Sequence, residues 1–596
     1  MRLHDRNILG ESVTVYVVED AADVAVFTDW VDDVRAGWVG VDTETSGLDS
    51  WAEGWALRLV QFATPNMAFV LDPVLHREAV QSALLAFGHT VFHNRPFDAA
   101  ALTRGGFEHL AWDGGIDTQV LAHIVDSRSS RDGAVGHGLK ALADAMIQPG
   151  LSDDQVELKA WARSNKVSVG VMFATAPTEL FEAYAGMDAI LTVRLAMLLA
   201  VQVDAVGCTH LIDFELELQR VGAEVQETGF KIDQAYAGWL GDHLKGQAQD
   251  ATMRLRMLGV DNPNSNTQVA DALLAAGVVW SGVTASGKPS VASDVLDAVE
   301  HPVADLVKAY RSANKLRKSY VVRALEAAAV DGRCHADIRM LQARTARMSV
   351  SNPPLQQLPA SDAMIRRMFV ADDGFVICAV DYSQIELRVL AALAGEASMI
   401  AAIAAGVDLH TNAAESMGVS RKVAKMANFL TVYGGGPSAL SKQAGISMGE
   451  AKAALGSFGR AFPAIAKFGD RLQAGAKYGA EPVVTASGRR LMLDRGRLYS
   501  ATNYVVQSTA RDVLAEAMLR VDEDELLGGC ILMPVHDELI FQAPEADADL
   551  WVSRMVGLME TDFQGVHLAA DGEVYGKSWG HGYGFKGSEA ESEGWF

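Results

Sequence analysis

The sequence predicts a multidomain chain that begins as α/β and ends as α+β, and three observations lead there. Its 596 residues exceed one ordinary domain several times over. Hydrophobic residues make up 49% and charged ones only 21%, which excludes a mainly disordered chain. Short strand-like runs cluster toward both ends, with a mostly helical stretch between them.

Near the N-terminus, Val13–Val18, Trp38–Asp42, Leu57–Phe62 and Met67–Leu71 read as strands joined by polar or glycine-containing turns, a meander. Thr90–His93 adds a short run among helical patterns. From about Leu195 to Ala329 the pattern is helical, broken at Asn262–Asn266 and Ser281–Ser290. Beyond Gly332 strand and helix candidates alternate, and Gly587–Phe596 reads as a frayed tail. No internal repeat is present.

The most apolar stretch, Leu387–Val407, is interrupted by Arg388, Glu396 and Ser398, which argues against a membrane span. The N-terminus has no signal-peptide core. Cys208, Cys334, Cys378 and Cys530 form no CxxC pair, so neither a thiolate zinc site nor a disulfide framework is expected, and a reducing cytosol suits them. The net charge of −24 should repel nucleic acid at long range. A DNA partner therefore requires basic residues concentrated where it sits.

Asp42 and Glu44 stand at the end of an apolar strand, two residues apart and hence on one side of it. Carboxylates this close repel unless they share cations. Alone, the pair is a weak signal and reads first as a solvated strand end. Downstream, Asn94-Arg95-Pro96-Phe97-Asp98 follows a strand and opens a helix, and Tyr184 and Asp188 share one helix face. Three acidic segments in this order, with Leu48, Asp117-Thr118 and Gly138–Ala143, resemble the motifs of proofreading 3′–5′ exonucleases with an RNase H-like fold. That resemblance implies that Asp42, Glu44, Asp98 and Asp188 bind two divalent metals. It also implies that Tyr184 orients the attacking water and Leu48 wedges beside the terminal base. None of the four acids is missing, so an active nuclease is expected.

A second carboxylate cluster lies in the C-terminal half. Phe375–Val380 is a buried-strand pattern ending at Asp381, and Tyr382–Arg388 begins a helix. Ile531–Val535, His536-Asp537-Glu538 and Leu539–Phe541 read as a hairpin with a polar tip. Pro534 suits only an edge strand or a bulge. If the hairpin lies beside the first strand, Asp381 and Asp537 become a metal-binding pair. Between them Arg421, Lys425, Phe429 and Tyr433 recur every four residues before Gly434-Gly435-Gly436. Their shared face could hold a triphosphate and stack on a base, or could simply be amphipathic packing.

Together DYSQIELR, RKVAKMANFLTVYG and VHDEL closely resemble motifs A, B and C of family A DNA polymerases, the DNA polymerase I group. Further matches run from Thr345 to Trp579. The resemblance implies a right-hand domain of palm, fingers and thumb behind the exonuclease domain, and a DNA-templated DNA polymerase with proofreading. It implies that Asp381 and Asp537 hold the catalytic metals, with Mg²⁺, two per active site, and Mn²⁺ as a substitute. Arg421 and Lys425 would grip the β- and γ-phosphates, Lys425 being a candidate to protonate pyrophosphate. Arg366 and His410 would add phosphate contacts, and Gln384 joins the nucleotide site. Phe429 would pack on the sugar, Tyr433 would stack at the nascent pair, and Glu386 would crowd a ribose 2′-OH. Arg347, Asn503, Gln507 and His536 would meet the primer terminus and its minor groove.

The boundaries expected are 1–205 for the exonuclease domain, 206–330 for connecting helices and thumb, and 331–395 for the first palm segment. Residues 396–510 would form the fingers and 511–596 the second palm segment. A basic stretch, Lys308, Arg311, Lys315, Arg317, Lys318 and Arg323, falls in the thumb, where it reads as a duplex-phosphate contact more readily than as a solvated face. The expected partners are primer–template DNA and dNTPs. A monomer without a tight processivity subunit, without a membrane and without a 5′-nuclease domain is expected, working in the cytoplasm, the host's if the chain is phage-encoded. Ala346, Leu430 and Tyr499 depart from the family pattern. A single-subunit RNA polymerase is the alternative, disfavoured by Glu386, His536 and the exonuclease motifs.

Overall fold

Seven strands near the N-terminus pair into one sheet: β1 (Arg2–Ile8), β2 (Glu11–Val17), β3 (Val39–Thr45), β4 (Leu57–Thr64), β5 (Met67–Leu71), β6 (Thr90–Phe92) and β7 (Ile116–Asp117). Their order is β1-β2-β5-β4-β3-β6-β7. The meander β3-β4-β5 is antiparallel, while β2/β5, β3/β6 and β6/β7 run parallel. This computed structural model describes all residues except 152–155, 280–281, 285–286, 360–361, 433, 480, 495 and 586–596. The expected tail and part of Ser281–Ser290 therefore lie outside the described residues. β1 is an edge strand that the sequence reading did not anticipate. It is mostly exposed, and its turn to β2 passes through Leu9 and Gly10, both at positive φ.

The helix Glu182–Ala205 packs across this sheet at close range. A Cβ on Gly40 of β3 would lie 2.5 Å from the Ala189 carbonyl oxygen, and one on Gly186 would lie 2.4 Å from Val15. Two glycines thus let helix and sheet meet, and they bring Asp188 to the strand that carries Asp42 and Glu44. By length and composition this helix could cross a membrane, but 67% of its apolar window is buried inside the protein. Its apolarity is explained by core packing.

The C-terminal half is organised by a second sheet: β8 (Phe375–Tyr382), β9 (Ile531–Val535), β10 (Glu538–Pro544) and β11 (Ala570–Gly576), in the antiparallel order β9-β10-β8-β11. β9 is an edge strand with a register shift between Ile531 and Met533, which accommodates Pro534. A core of Val376, Cys378, Val389, Leu390, Met518 and Phe541 joins the sheet to the helices Ile385–Ala394 and Ala501–Asp522. All four cysteines are buried and free. Ala346 adopts φ 60° in a fully buried turn, a conformation that glycine takes without a Cβ penalty. The alanine costs about 1 kcal/mol at such a φ.

Between the halves runs the helix Leu211–Thr228. Its Glu215 is fully buried and accepts from Arg511 Nη1 and Nη2 at 2.6 and 2.8 Å and from Arg489. Asp512 accepts from the same two arginines at 3.0 and 3.1 Å. Two cations balance two anions, so the group survives burial; removing one anion leaves an uncompensated charge. Glu215→Ala is therefore expected to cost about 3–5 kcal/mol in urea unfolding. A loss below about 1 kcal/mol, the surface-pair range, would show that the network is solvated.

Candidate active sites

The first site forms where β3, the helix Arg95–Arg104 and the helix Glu182–Ala205 converge. Glu44, Asp98 and Asp188 are buried and Asp42 is partly open. Asp98 is tied to the acidic strand itself, because one of its oxygens accepts the Thr43 backbone N–H at 3.0 Å and the Thr43 hydroxyl at 2.7 Å. Lys140, on the helix Leu139–Met146, pairs with Asp188 and lies 4.5 Å from the Tyr184 ring centroid. Burial pushes the Asp42 carboxyl well above the usual range, and repulsion from Asp98, Glu44 and Asp188 pushes it further, with Lys140 opposing. Glu44 is raised by burial and then by Asp188. Burial lifts Asp98 to about 8 despite its Thr43 hydrogen bonds. Leu48 stands beyond the cluster, 89% exposed, an orientation that suits a wedge rather than a core residue.

The second site lies at one end of the C-terminal sheet. Asp381 faces Glu538 on β10 and Asp571 on β11 in register. The two-residue turn His536-Asp537 joins β9 to β10, with exposed His536 at φ 59°. The Tyr382 N–H donates to the Asp537 carbonyl oxygen at 3.2 Å, which fixes the turn beside the end of β8. Burial, then repulsion from Asp537 and Asp571, raises Asp381 to about 6, and burial raises Asp537. Glu538 is lifted to about 7 chiefly by burial, while accepting from Tyr575 at 2.9 Å. Left-handed residues border both acid clusters: Asn94 at φ 71°, Gln384 at 54° and His536 at 59°. Backbone strain of this kind is held where a side chain must be aimed.

Both donor sets are carboxylate oxygens with more negative than positive charge, the composition that hard divalent cations require. Among the described residues, no group of three or more His, Cys, Asp or Glu side chains already stands at coordinating geometry. Burial raises these acids, and repulsion between carboxylates adds to it at Asp42, Glu44 and Asp381, which fits donor sets for a divalent cation.

The residues expected at a nucleotide site are distributed unevenly. Arg421 and Lys425 are exposed on the helix Arg421–Val432. Arg421 binds both oxygens of Asp408 at 3.1 Å, and Gln384 Nε2 donates to the same carboxylate at 3.3 Å. His410 is buried and meets Asn428 at 3.1 Å. Arg347 pairs with Glu386. Asn503 and Gln507 are buried on the helix Ala501–Asp522. The Phe429 side chain and all of Tyr433 lie outside the described residues. Leu430 is buried against Gly435, and Tyr499 lies against Gly434.

Two of the expected basic residues are held by the chain itself. Arg366 is 4% exposed, donates to the carbonyls of Pro359 and Asp362 at 2.7 and 2.8 Å, and lies over the Tyr583 ring at 3.8 Å. A guanidinium so enclosed braces the chain around Pro359 and Asp362. Arg311 donates to the Val291 carbonyl at 2.6 Å and to Asn266 at 3.2 Å, so it ties neighbouring segments together, while Lys315 is exposed. Sequence reasoning also missed Asp571, which sits in a strand with no motif around it and is revealed only by its register with Asp381.

Comparison with known proteins supplies the class. Residues 238–581 match the family model DNA polymerase family A, and residues 18–204 match a 3′-5′ exonuclease model. The chain is 35% identical over 595 residues to the DNA polymerase of Mycobacterium phage L5, covering 97% of this chain and 98% of that one. The DNA polymerase of Mycobacterium phage D29 is 34% identical at the same coverage. DNA polymerase I of Chloroflexus aurantiacus is 30% identical over 90% of this chain and 60% of its own. The solved POL domain of Pol1 from M. smegmatis, in complex with DNA primer-template and dNTP, shares the fold, with TM-score 0.77, 22% identity, and 95% and 99% coverage. Fold and comparisons define a template-dependent polymerase carrying an exonuclease domain ahead of its catalytic half. The chain belongs to DNA polymerase family A.

Proposed function

We propose that this chain extends a primer on a DNA template at Asp381 and Asp537 and trims 3′ ends at Asp42, Glu44, Asp98 and Asp188, with two divalent cations at each centre. The observation that carries the reading is the register of the second sheet, which brings Asp381 and the Asp537 turn to one edge. Bound Mg²⁺ would activate the attacking oxygen and offset charge on the phosphate. The chain's own residues do the rest. Arg421 and Lys425 present cations one helical turn apart to the β- and γ-phosphates. Tyr184, beside the nuclease acids, orients water, and Leu48 separates the terminal base. Exposed His536 and partly exposed Arg347 meet the primer end; buried Asn503 and Gln507 line the floor beneath it.

A crevice of about 530 Å³ opens between the halves beside Leu48, lined also by Trp51, Phe97, His335 and Arg339. We assign the boundaries 1–205, 206–330, 331–395, 396–510 and 511–596 to exonuclease, thumb, palm, fingers and palm. The mycobacteriophage relatives favour a phage-encoded enzyme acting in a bacterial cytoplasm.

Primer extension on a recessed template, run with dNTPs and then rNTPs under Mg²⁺ and under a chelator, tests the reading. Synthesis with dNTPs that stops on chelation is expected; equal use of rNTPs sinks it in favour of an RNA polymerase. Glu386→Ala removes the bulk expected to crowd a 2′-OH and frees Arg347. It should raise rNTP use on the order of 10- to 100-fold, the range over which one hydroxyl is discriminated. An unchanged ratio in competition assays would place sugar selection elsewhere.

A further inference from the structure

The helix Leu211–Thr228 touches both halves through side chains one turn apart. Glu215 locks it to the polymerase body through Arg489 and Arg511. One turn later, Gln219 Nε2 donates to Asp117 Oδ2 at 2.7 Å, across to the nuclease half. Asp117 is fully buried, and its carboxylate also accepts the backbone N–H groups of Asn94, Arg95 and Gln119 at 3.1, 2.8 and 2.7 Å. Asn94 and Arg95 open the helix that carries Asp98. The Arg95 guanidinium turns back to the Leu216 carbonyl of the connecting helix and to the Gly115 carbonyl at 3.2 Å. The first turn of the Asp98 helix is therefore gripped by two groups, and the connecting helix touches both.

We infer that Gln219 is a positioning residue for the exonuclease centre: through Asp117 it sets the turn that aims Asp98, so the polymerase body fixes where the nuclease acids stand. This rests on the carboxylate reading above. The effect of Gln219 passes through Asp117, to which it donates. Removing its N–H leaves a buried carboxylate short of one donor, which shifts the backbone groups that share it. Groups that orient metal ligands from behind typically matter 10- to 100-fold.

The test uses the whole enzyme. Gln219→Leu removes the donor, and Gln219→Glu keeps the size without the N–H. Each variant is assayed for degradation of a single-stranded oligonucleotide across a Mg²⁺ titration, and for primer extension. We expect exonuclease turnover to fall about tenfold and half-saturating Mg²⁺ to rise severalfold, with extension within about twofold of the parent. Extension serves as the control for folding. Either variant that extends normally and trims with unchanged turnover and Mg²⁺ dependence overturns the proposal. Asp42→Ala is run alongside: if it still degrades DNA, the acid assignment itself fails and the positioning role falls with it.

Discussion

Asp537→Ala is expected to lower primer extension on the order of 10³-fold or more while leaving 3′-end degradation intact. The argument begins with strand register. Asp381 ends a buried strand, and the turn bearing Asp537 is pinned to that strand's end through the Tyr382 N–H. Burial raises both carboxyls above their ordinary range, and repulsion from Asp537 and Asp571 adds to it at Asp381, which stands near 6. Such a pair is poised to exchange protons for cations as these bind. Replacing one acid by a methyl removes the charge that holds the cations and leaves the other acid unable to hold them alone. The measurement is single-turnover extension under Mg²⁺, with degradation of the same primer as the internal control. Extension within about tenfold of the parent, the loss expected from one neutral hydrogen bond, would remove Asp537 from the chemistry.

Asp42→Ala is expected to do the reverse: degradation falls on the order of 10³-fold and synthesis is kept. The same change should raise the melting temperature of the metal-free protein. The sign follows from the raised carboxyls of the cluster. Asp98 binds its proton up to about 8 when folded, against an unfolded value of 3.8. Between these values the folded state holds a proton that the unfolded state releases, so stability contributed by the group declines as pH climbs through the window. Metal-free protein should therefore melt lower at pH 8 than at pH 5, and Mg²⁺ or Asp42→Ala should recover part of the loss. Calorimetry with and without chelator reads it. A parent enzyme whose melting ignores both pH and Mg²⁺ would mean that these acids do not repel.

Much of this molecule was legible in its residues, for local reasons. Met67–Leu71, the hairpin around Asp537 and the strand ending at Asp381 stand almost where apolar runs and turn residues put them, because burial of one strand is written in consecutive side chains. β1 was not legible: an edge strand with charged residues on both faces has no apolar alternation to read. The surroundings of Arg366 were not legible for a related reason. Sequence shows a cation but not the three carbonyls and two rings that enclose it. Asp571 and Gln219 act through partners that are far away along the chain, and only register and packing bring them together.

The connecting helix also bears on how this protein could be divided. A cut at 205/206 severs the seven-stranded sheet from Gln219 and from the Leu216 carbonyl, both of which serve residues more than a hundred positions earlier. A free-standing trimming module would need to run through Thr228 to keep its own scaffold, and that cut would carry Glu215 away from Arg489 and Arg511, so either division breaks one set of contacts. The seam between the two trades thus lies inside a shared beam, not at the loop ahead of it.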